Sequence, residues 1–570
     1  MDPSKEKYIR RSQVLIIVLF LGFAFLLGIL AYRQIFQYSY YTALAKSQHF
    51  LAKEIPAHRG RIFASSIYQD EPFLLAGNEK LFSLNVVPRQ ITNKEETARK
   101  LADLAKLKYE DIFSSINNNK PYIPPIKRGL SYDEAQKILK EDLIGVYLLP
   151  LDHRFYPQET FLSHILGYVD QEGKGNYGLE QYYDKELQGD SGYFMAEKDV
   201  FGRYIDINQE TPPQDGKDLY LTIEVPVQFK AEEIIKQAVK DYGAQSGQII
   251  ILNPKTGQIL AMASDYGFNP ENYAEEAKTK GIEIFYNPIT SKLYEPGSIL
   301  KIIPALAAIE KKVAAPDTDF DVPASIQVGG KTIWTALKQA EGRITLSRIL
   351  EHSNNVGIIE VEQLIGKEPF YQFLIDRFRF NMALGIDLPN EAYNDMPAIK
   401  EVQDVEAATM AFGQGIALTP LQAVNAFAAI ANDGVMMRPY IVGKKVDSQG
   451  KSETIKPQEI GRVTDSDTAK IVRDMLYGVV EAGYSGLAKI PGYKIGGKTG
   501  TAQVPSPSGG YDPYKTIHSF CGIFPIDDPQ FVILVKLDYP TAVAWAASST
   551  APVFAQMASY VANYYQIPKE

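Results

Sequence analysis

Hydrophobic and polar positions divide the chain into stretches of different period. Positions 14–32, VLIIVLFLGFAFLLGILAY, form an unbroken apolar run without a charge. As a helix the run spans about 28 Å, close to the hydrocarbon thickness of a bilayer. A membrane-spanning helix is predicted rather than a cleaved signal peptide, whose apolar region is shorter and ends at an A-x-A-like site; no such site follows Leu30. Further on, apolar runs at 81–87 (LFSLNVV) and 147–151 accompany a helical pattern at 94–107, with polar seams at 117–120 and prolines at Pro121, Pro124 and Pro125. ETPPQDGKD at 210–218 fits neither the helical nor the strand period and reads as a linker. Beyond it come a strand-like LYLTIEV, a helix over 227–240, and a hairpin of GQIIILNP and QILAMAS turned by Lys255-Thr256-Gly257. Helical signals dominate to about Ala431, followed by strands near 493–504 and 531–537 and a terminal helix over 551–565.

This order predicts an α+β protein: a short tail over 1–12, a transmembrane helix over 13–32, an elongated mixed region over 33–215, and a domain over 219–570 built as an antiparallel sheet flanked by helices. At 570 residues, 45% hydrophobic, the chain can bury more than one core. Lys5, Lys7, Arg10 and Arg11 precede the apolar run, which places the N-terminus in the cytoplasm and everything after Arg33 outside. Phe36, Tyr38, Tyr40 and Tyr41 then fall near the outer headgroups. A net charge of −9 without a long basic tract excludes a nucleic-acid partner. The single cysteine, Cys521, allows no internal disulfide and no zinc site on paired thiolates, and is expected to be buried and inert.

Chemistry concentrates at Glu295-Pro296-Gly297-Ser298-Ile299-Leu300-Lys301, which runs into the apolar IIPALAAIEKK. Pro and Gly mark a turn, so Ser298 is expected in the first turn of a buried helix, with Lys301 three residues on and therefore on the same face. Burial lowers a lysine's proton affinity, leaving an amine able to take the hydroxyl proton, while the helix's unpaired N–H groups favour negative charge on the oxygen. Ser-x-x-Lys spacing alone is weak, since Ser4-Lys5-Glu6-Lys7 and Ser448-Gln449-Gly450-Lys451 repeat it. Lys255-Thr256-Gly257 likewise duplicates Lys498-Thr499-Gly500, and Ser115-Ile116-Asn117 duplicates Ser353-Asn354-Asn355. Only Ser298, Ser353 and Lys498 share one domain with suitable surroundings; elsewhere the motifs read as a tail, a solvated turn or a cap. His352 beside Ser353 invites a Ser-His-Asp reading, but no serine lies in a G-x-S-x-G elbow, so His352 is expected to be structural.

Taken in order, Ser298-Ile299-Leu300-Lys301, Ser353-Asn354-Asn355 and Lys498-Thr499-Gly500-Thr501 resemble the active-site triplet of the penicillin-binding proteins and serine β-lactamases. Phe412-Gly413-Gln414-Gly415-Ile416-Ala417-Leu418-Thr419-Pro420-Leu421-Gln422 and Gly497-Lys498-Thr499-Gly500-Thr501-Ala502-Gln503 are similar to class B penicillin-binding proteins. Arg59-Gly60, Arg154-Phe155-Tyr156-Pro157, His164-Ile165-Leu166-Gly167 and Gly178-Leu179-Glu180-Gln181 resemble that class's non-catalytic pedestal, so the likeness covers nearly the whole chain after residue 12. It implies a pedestal over 33–215, a transpeptidase domain over 219–570, and a peptidoglycan D,D-transpeptidase of septal or elongation type, with the septal role favoured. The implied partners are peptidoglycan stem peptides, β-lactams, and a polytopic glycosyltransferase with other wall-building proteins. The implied location is a bacterial inner membrane, the catalytic domain outside. No metal or cofactor is implied.

The resemblance further implies that Ser298 attacks the penultimate D-Ala carbonyl, Lys301 takes its proton, and Ser353 and Lys498 relay it to the leaving amine. Asn355 holds a substrate amide, backbone N–H groups of Ser298 and Thr501 form the oxyanion hole, and Thr499 and Thr501 meet the terminal carboxylate near Lys498. Gly500 lets the substrate backbone approach. A β-lactamase or carboxypeptidase, and a non-catalytic scaffold, are the competing readings. Two places depart from the pattern. Ala64 and Ser65 stand where the pedestal usually carries an Asp-Arg pair, and Pro304 falls early in the nucleophile's helix, where it is expected to bend it.

Overall fold

The computed structural model describes residues 3–42, 50–121, 123–198, 204–506 and 509–569, arranged as two compact units. The first takes residues 1–58 and 189–215. Its helix Pro3–Ala31 runs on into a π-helical turn, Tyr32–Phe36, and the stretch Ile9–Phe36 is 28 residues long and holds an 18-residue window of mean hydropathy 3.1, enough to cross a membrane. The Arg33 guanidinium lies 5.9 Å over the Tyr41 ring at the end of this stretch. Strands Phe50–Ile55, Gly192–Lys198 and Tyr204–Thr211 make a three-stranded antiparallel sheet. The expected linker over 210–218 is thus ordered at both ends: its first residues close one strand and Asp218 opens another.

The second unit takes residues 59–188 and 216–570. Strand Asp218–Glu224 pairs in parallel with Ile62–Ser66 and antiparallel with Val442–Val446, inside a seven-stranded sheet that also holds Gln69–Val86, Lys127–Leu130, Val146–Phe155 and Ser452–Thr454. Ala64 is fully buried in this sheet. A carboxylate there would need a cation, because an unpaired buried charge is costly. Alanine instead packs with Leu75 and Leu219 in the main core.

Three of the four N-terminal motifs meet at one buried carboxylate. Glu180 is fully buried, and its two oxygens accept from Arg59 Nε and Arg154 Nε at 2.7 Å each. Arg154 also donates to the Gly60 carbonyl at 2.8 Å, and the Tyr156 hydroxyl donates to Glu180 at 3.3 Å. The flanking arginines hold the carboxyl below its usual range against the opposing pull of burial. His164 is buried with its Nε2 2.9 Å from the Ile284 carbonyl, and burial lowers its pKa to about 4, so the ring is neutral.

The catalytic half is built on a five-stranded antiparallel sheet of β1 (Ser246–Leu252), β2 (Ile259–Ser264), β3 (Gly496–Pro505), β4 (Tyr511–Phe524) and β5 (Phe531–Asp538), in the order β2-β1-β5-β4-β3. Its two faces bury different sets, as strand alternation requires. Ile249, Ile251, Phe520 and Val535 pack with helices α1 (Val225–Asp241) and α6 (Thr550–Tyr564). Ile250, Cys521, Ile523 and Leu534 face a helical cluster that includes α2 (Ile302–Glu310), α3 (Asn355–Ile365), α4 (Pro420–Ala431) and α5 (Ser466–Glu481). Cys521 is buried, and burial raises its thiol pKa well above normal. β5 is buried along its whole length, which is why it reads as an apolar run.

Local chemistry explains several boundaries. α4 begins with a capping box: Thr419 Oγ1 accepts from the Gln422 N–H and Gln422 Oε1 accepts from the Thr419 N–H, both at 3.1 Å, with Pro420 in the first turn. Lys255 tops the β1–β2 hairpin, exposed and paired with Asp528, so its Lys-Thr-Gly is a solvated turn. Two small hairpins, Asp319–Val322 with Gly342–Thr345 and Ser325–Val328 with Lys331–Trp334, interrupt the region read as helical. Their short, mostly exposed strands bury too little to leave a period-two signal. β4 also goes unread, because its half-exposed start and doubly buried end share no single period.

Candidate active site

Ser298 lies in a 3-10 turn, Gly297–Lys301, that leads directly into α2. In a 3-10 helix residues three apart eclipse one another, so Ser298 and Lys301 share a line along the turn. Pro304 accounts for this winding. With no N–H it cannot close an α-type bond to the Leu300 carbonyl, so regular α-helix starts only at Ile302. The expected bend is therefore a change of helix type one turn earlier. Neither the turn nor α2 has a side-chain cap, so Ser298 is not a capping serine.

The glycine-rich stretch 412–422 holds the approach to the nucleophile. Tyr294 and Leu418 exchange backbone hydrogen bonds at 2.9 Å each way, and the Gly297 N–H donates to the Gly413 carbonyl at 2.9 Å. A Cβ on Gly413 would sit 2.1 Å from the Gly297 oxygen, and its φ is +79°, so only glycine fits. On the other side the turn rests against β3, the edge strand of the sheet. A Cβ on Gly500 would lie 2.6 Å from the Pro296 oxygen and 2.5 Å from Ser519 Oγ.

Four of the predicted side chains converge behind Ser298. Lys301 is fully buried; its Nζ donates to the Ser353 carbonyl, and to Asn355 Oδ1 at 2.7 Å, with Ser353 Oγ at 3.3 Å. Lys498, 1% exposed, donates to the same Ser353 Oγ at 2.9 Å and to the Thr499 carbonyl at 3.3 Å. Burial, reinforced by the charge of Lys498 and opposed by Glu341, holds Lys301 well below a normal lysine. Burial also brings Lys498 to about 7. A neutral amine has two N–H groups and one lone pair. With the N–H groups of Lys301 directed at the Ser353 carbonyl and Asn355, its lone pair remains for a hydroxyl proton. Among the described residues no hydrogen bond joins Lys301 to Ser298 itself.

Ser353 sits between two helices at φ +53°, a left-handed conformation uncommon for serine. Asn354 secures it: its Oδ1 caps α3 through the Gly357 N–H at 2.9 Å, and its Nδ2 donates to Glu341 Oε1 at 2.7 Å. Glu341 Oε2 lies 2.5 Å from His352 Nδ1, so His352 is a supporting residue. Glu341 gives no sequence signal, since it belongs to no motif and is brought in by a hairpin. Thr499 and Thr501 are not in the lysine cluster. Alternation along β3 turns them to the opposite face from Lys498 and Gly500, and Thr501 Oγ1 accepts from the Ala546 N–H at 3.1 Å.

The arrangement joins an accessible hydroxyl, a buried amine of low proton affinity, a second hydroxyl between two lysines and an unpaired strand edge, as serine acyl transfer to and from a peptide requires. Comparison with known proteins agrees. Residues 247–559 match the penicillin binding protein transpeptidase domain, and 54–221 match the penicillin-binding protein dimerisation domain. The chain is 33% identical over 556 residues to stage V sporulation protein D of Bacillus subtilis, covering 95% of this chain and 84% of the relative. It is 29% identical over 458 residues to peptidoglycan D,D-transpeptidase FtsI of Escherichia coli, covering 80% and 74%. The crystal structure of penicillin-binding protein 3 from Mycobacterium tuberculosis complexed with aztreonam aligns with a TM-score of 0.70 at 27% identity, over 91% of this chain and 98% of that one. With the fold, the ordered motifs and these likenesses in agreement, the chain belongs to the penicillin-binding protein transpeptidase family.

Proposed function

We propose that this protein is a peptidoglycan D,D-transpeptidase that cross-links stem peptides through an acyl-enzyme on Ser298, and that β-lactams acylate the same serine. The observation that carries the reading is the buried cluster of Lys301, Ser353, Asn355 and Lys498 behind a half-buried Ser298. Ser298 Oγ attacks the penultimate D-Ala carbonyl and Lys301 takes its proton, general-base help worth roughly 10² to 10⁴ in rate. The proton passes by Ser353 Oγ, which both lysines reach, to the departing D-Ala amine. Backbone N–H groups of Ser298 and Thr501 hold the oxyanion, each donor being worth about 3 kcal/mol in such sites. The donor peptide lies along the free edge of β3, its terminal carboxylate toward Lys498, and Asn355 steadies a backbone amide; Thr499 and Thr501, turned to the other face of the strand, are not assigned to that carboxylate.

The same reading assigns 33–215 to a pedestal, 219–570 to the transpeptidase domain and 13–32 to a single membrane span. It places the protein in the bacterial cell membrane with catalysis outside, working beside a polytopic glycosyltransferase, with septal growth favoured. The name of the Escherichia coli relative, a peptidoglycan D,D-transpeptidase, supports the wall-building role. Purified protein should form a covalent adduct with labelled penicillin that Ser298→Ala abolishes, and an adduct persisting in Ser298→Ala refutes the assignment. Retention of a polytopic membrane glycosyltransferase by the full chain in detergent tests the partner, and full rescue of a depleted strain by Ser298→Ala would favour a scaffold.

A further inference from the structure

Cross-linking has a second half that the residues above do not serve. The acceptor amine arrives mostly as an ammonium near neutral pH and must lose a proton before it can attack. Lys301 and Lys498 offer it no negative charge, and Ser353 and Asn355 are neutral. Glu295, three residues before Ser298, is the carboxylate built into the nucleophile's own segment.

One Glu295 oxygen is held: Oε1 accepts from the Gly415 N–H at 3.0 Å and from the Tyr511 hydroxyl at 3.4 Å. The other, Oε2, is enclosed by protein and has no hydrogen-bond partner. No ion pair to Glu295 is present among the described residues. Burial, with no cation to offset it, raises the proton affinity of this carboxyl. A half-satisfied buried carboxylate is costly unless a donor completes it. Position adds to this. Pro296 and Gly297 abut Gly500 and Ala502 on β3, and Tyr511 pairs with Pro505 further along that strand. The carboxylate and Tyr511 thus lie toward the opposite end of the strand from Lys498, and the long Tyr511 contact is the one an incoming ligand can displace.

We propose that Glu295 forms the subsite for the acceptor, its carboxylate receiving the ammonium of the second stem peptide beside the acylated Ser298. The subsite rests on the transpeptidase reading and deepens it. The ammonium displaces the Tyr511 hydroxyl and gives one proton to Glu295 Oε1, and the freed nitrogen lone pair forms a C–N bond at the ester carbonyl. Collapse breaks the bond between that carbon and Ser298 Oγ, and the second nitrogen proton returns to Oγ by way of Lys301. Glu295 releases its proton to solvent, so an amide, a free serine and one proton leave the cycle.

The test partitions one acyl-enzyme between two nucleophiles. Wild type and Glu295→Gln are given an acyl-D-alanyl thioester donor with D-alaninamide, which carries an ammonium and no carboxylate, and transfer is measured against hydrolysis. At pH 7 the variant's transfer-to-hydrolysis ratio should fall about tenfold or more, while its acylation by penicillin stays within about threefold of wild type. At pH 9, where the acceptor arrives neutral, transfer in the variant should recover toward wild type. An unchanged ratio at pH 7 overturns the subsite and leaves the acyl-enzyme intact. A parallel loss of acylation and transfer also overturns it, making Glu295 a support for the nucleophile's turn. Absence of acylation in wild type would overturn the acyl-enzyme reading and the subsite together.

Discussion

At the scale of single residues, burial sets the chemistry. Lys301 is an effective base because it is surrounded by protein, and a guanidinium cannot copy it, since arginine stays protonated at every working pH. Lys301→Arg should slow acylation by labelled penicillin by roughly 10² to 10⁴, measured as a second-order rate constant. Burial acts on Glu362 as well. It is 3% exposed in α3, and burial, with the charge of Asp404, pushes its pKa up to about 7 against the pull of Lys367. A raised carboxyl contributes stability that is complete below the unfolded value near 4.5 and lost as pH rises through 7. Glu362→Gln should therefore leave the unfolding midpoint little changed at pH 4.5 and raise it at pH 8, by about 1–3 kcal/mol in stability. Equal shifts at both pH values would exclude the titration as the cause.

At the scale of elements, backbone geometry decides what side chains can do. The Gly297–Lys301 turn is 3-10 because Pro304 withholds one N–H. Pro304→Ala restores that donor and lets the segment wind as α-helix, so acylation should fall several-fold with little change in midpoint temperature. Gly500 is constrained from two sides, by Ser519 Oγ and by the Pro296 carbonyl. Gly500→Ala should lower the acylation rate by about tenfold or more, and adding Ser519→Gly should not restore it, because the remaining clash is with backbone. Much of this level is legible in the primary structure. The Thr419-Pro420-Leu421-Gln422 capping box, the terminal helix and the β1–β2 hairpin follow from local rules. The hairpins between 319 and 345 do not, because their strands are short and mostly exposed, and they become visible only through Glu341, which they deliver to His352 and Asn354.

Across the whole molecule, distant segments depend on a few buried groups. Glu180 ties Arg59 to Arg154, joining three stretches of one compact unit. Glu180→Ala leaves two arginines without their counter-charge, and should cost about 3–5 kcal/mol in denaturant unfolding of the chain. A loss under 1 kcal/mol would show that water replaces the carboxylate. By itself the chain determined the apolar span at 14–32, the α+β alternation and the three ordered motifs, because period, length and residue type are local quantities. It determined the candidate nucleophile too, since Ser298 and Lys301 belong to one turn. Only the tertiary structure decided which polar groups meet. Ser353 reaches both lysines across 52 and 145 residues, Thr499 and Thr501 turn away from Lys498, and Glu295 is left with an oxygen no local rule could single out. These are consequences of burial and strand alternation, which exist only once the sheet and its helices have packed.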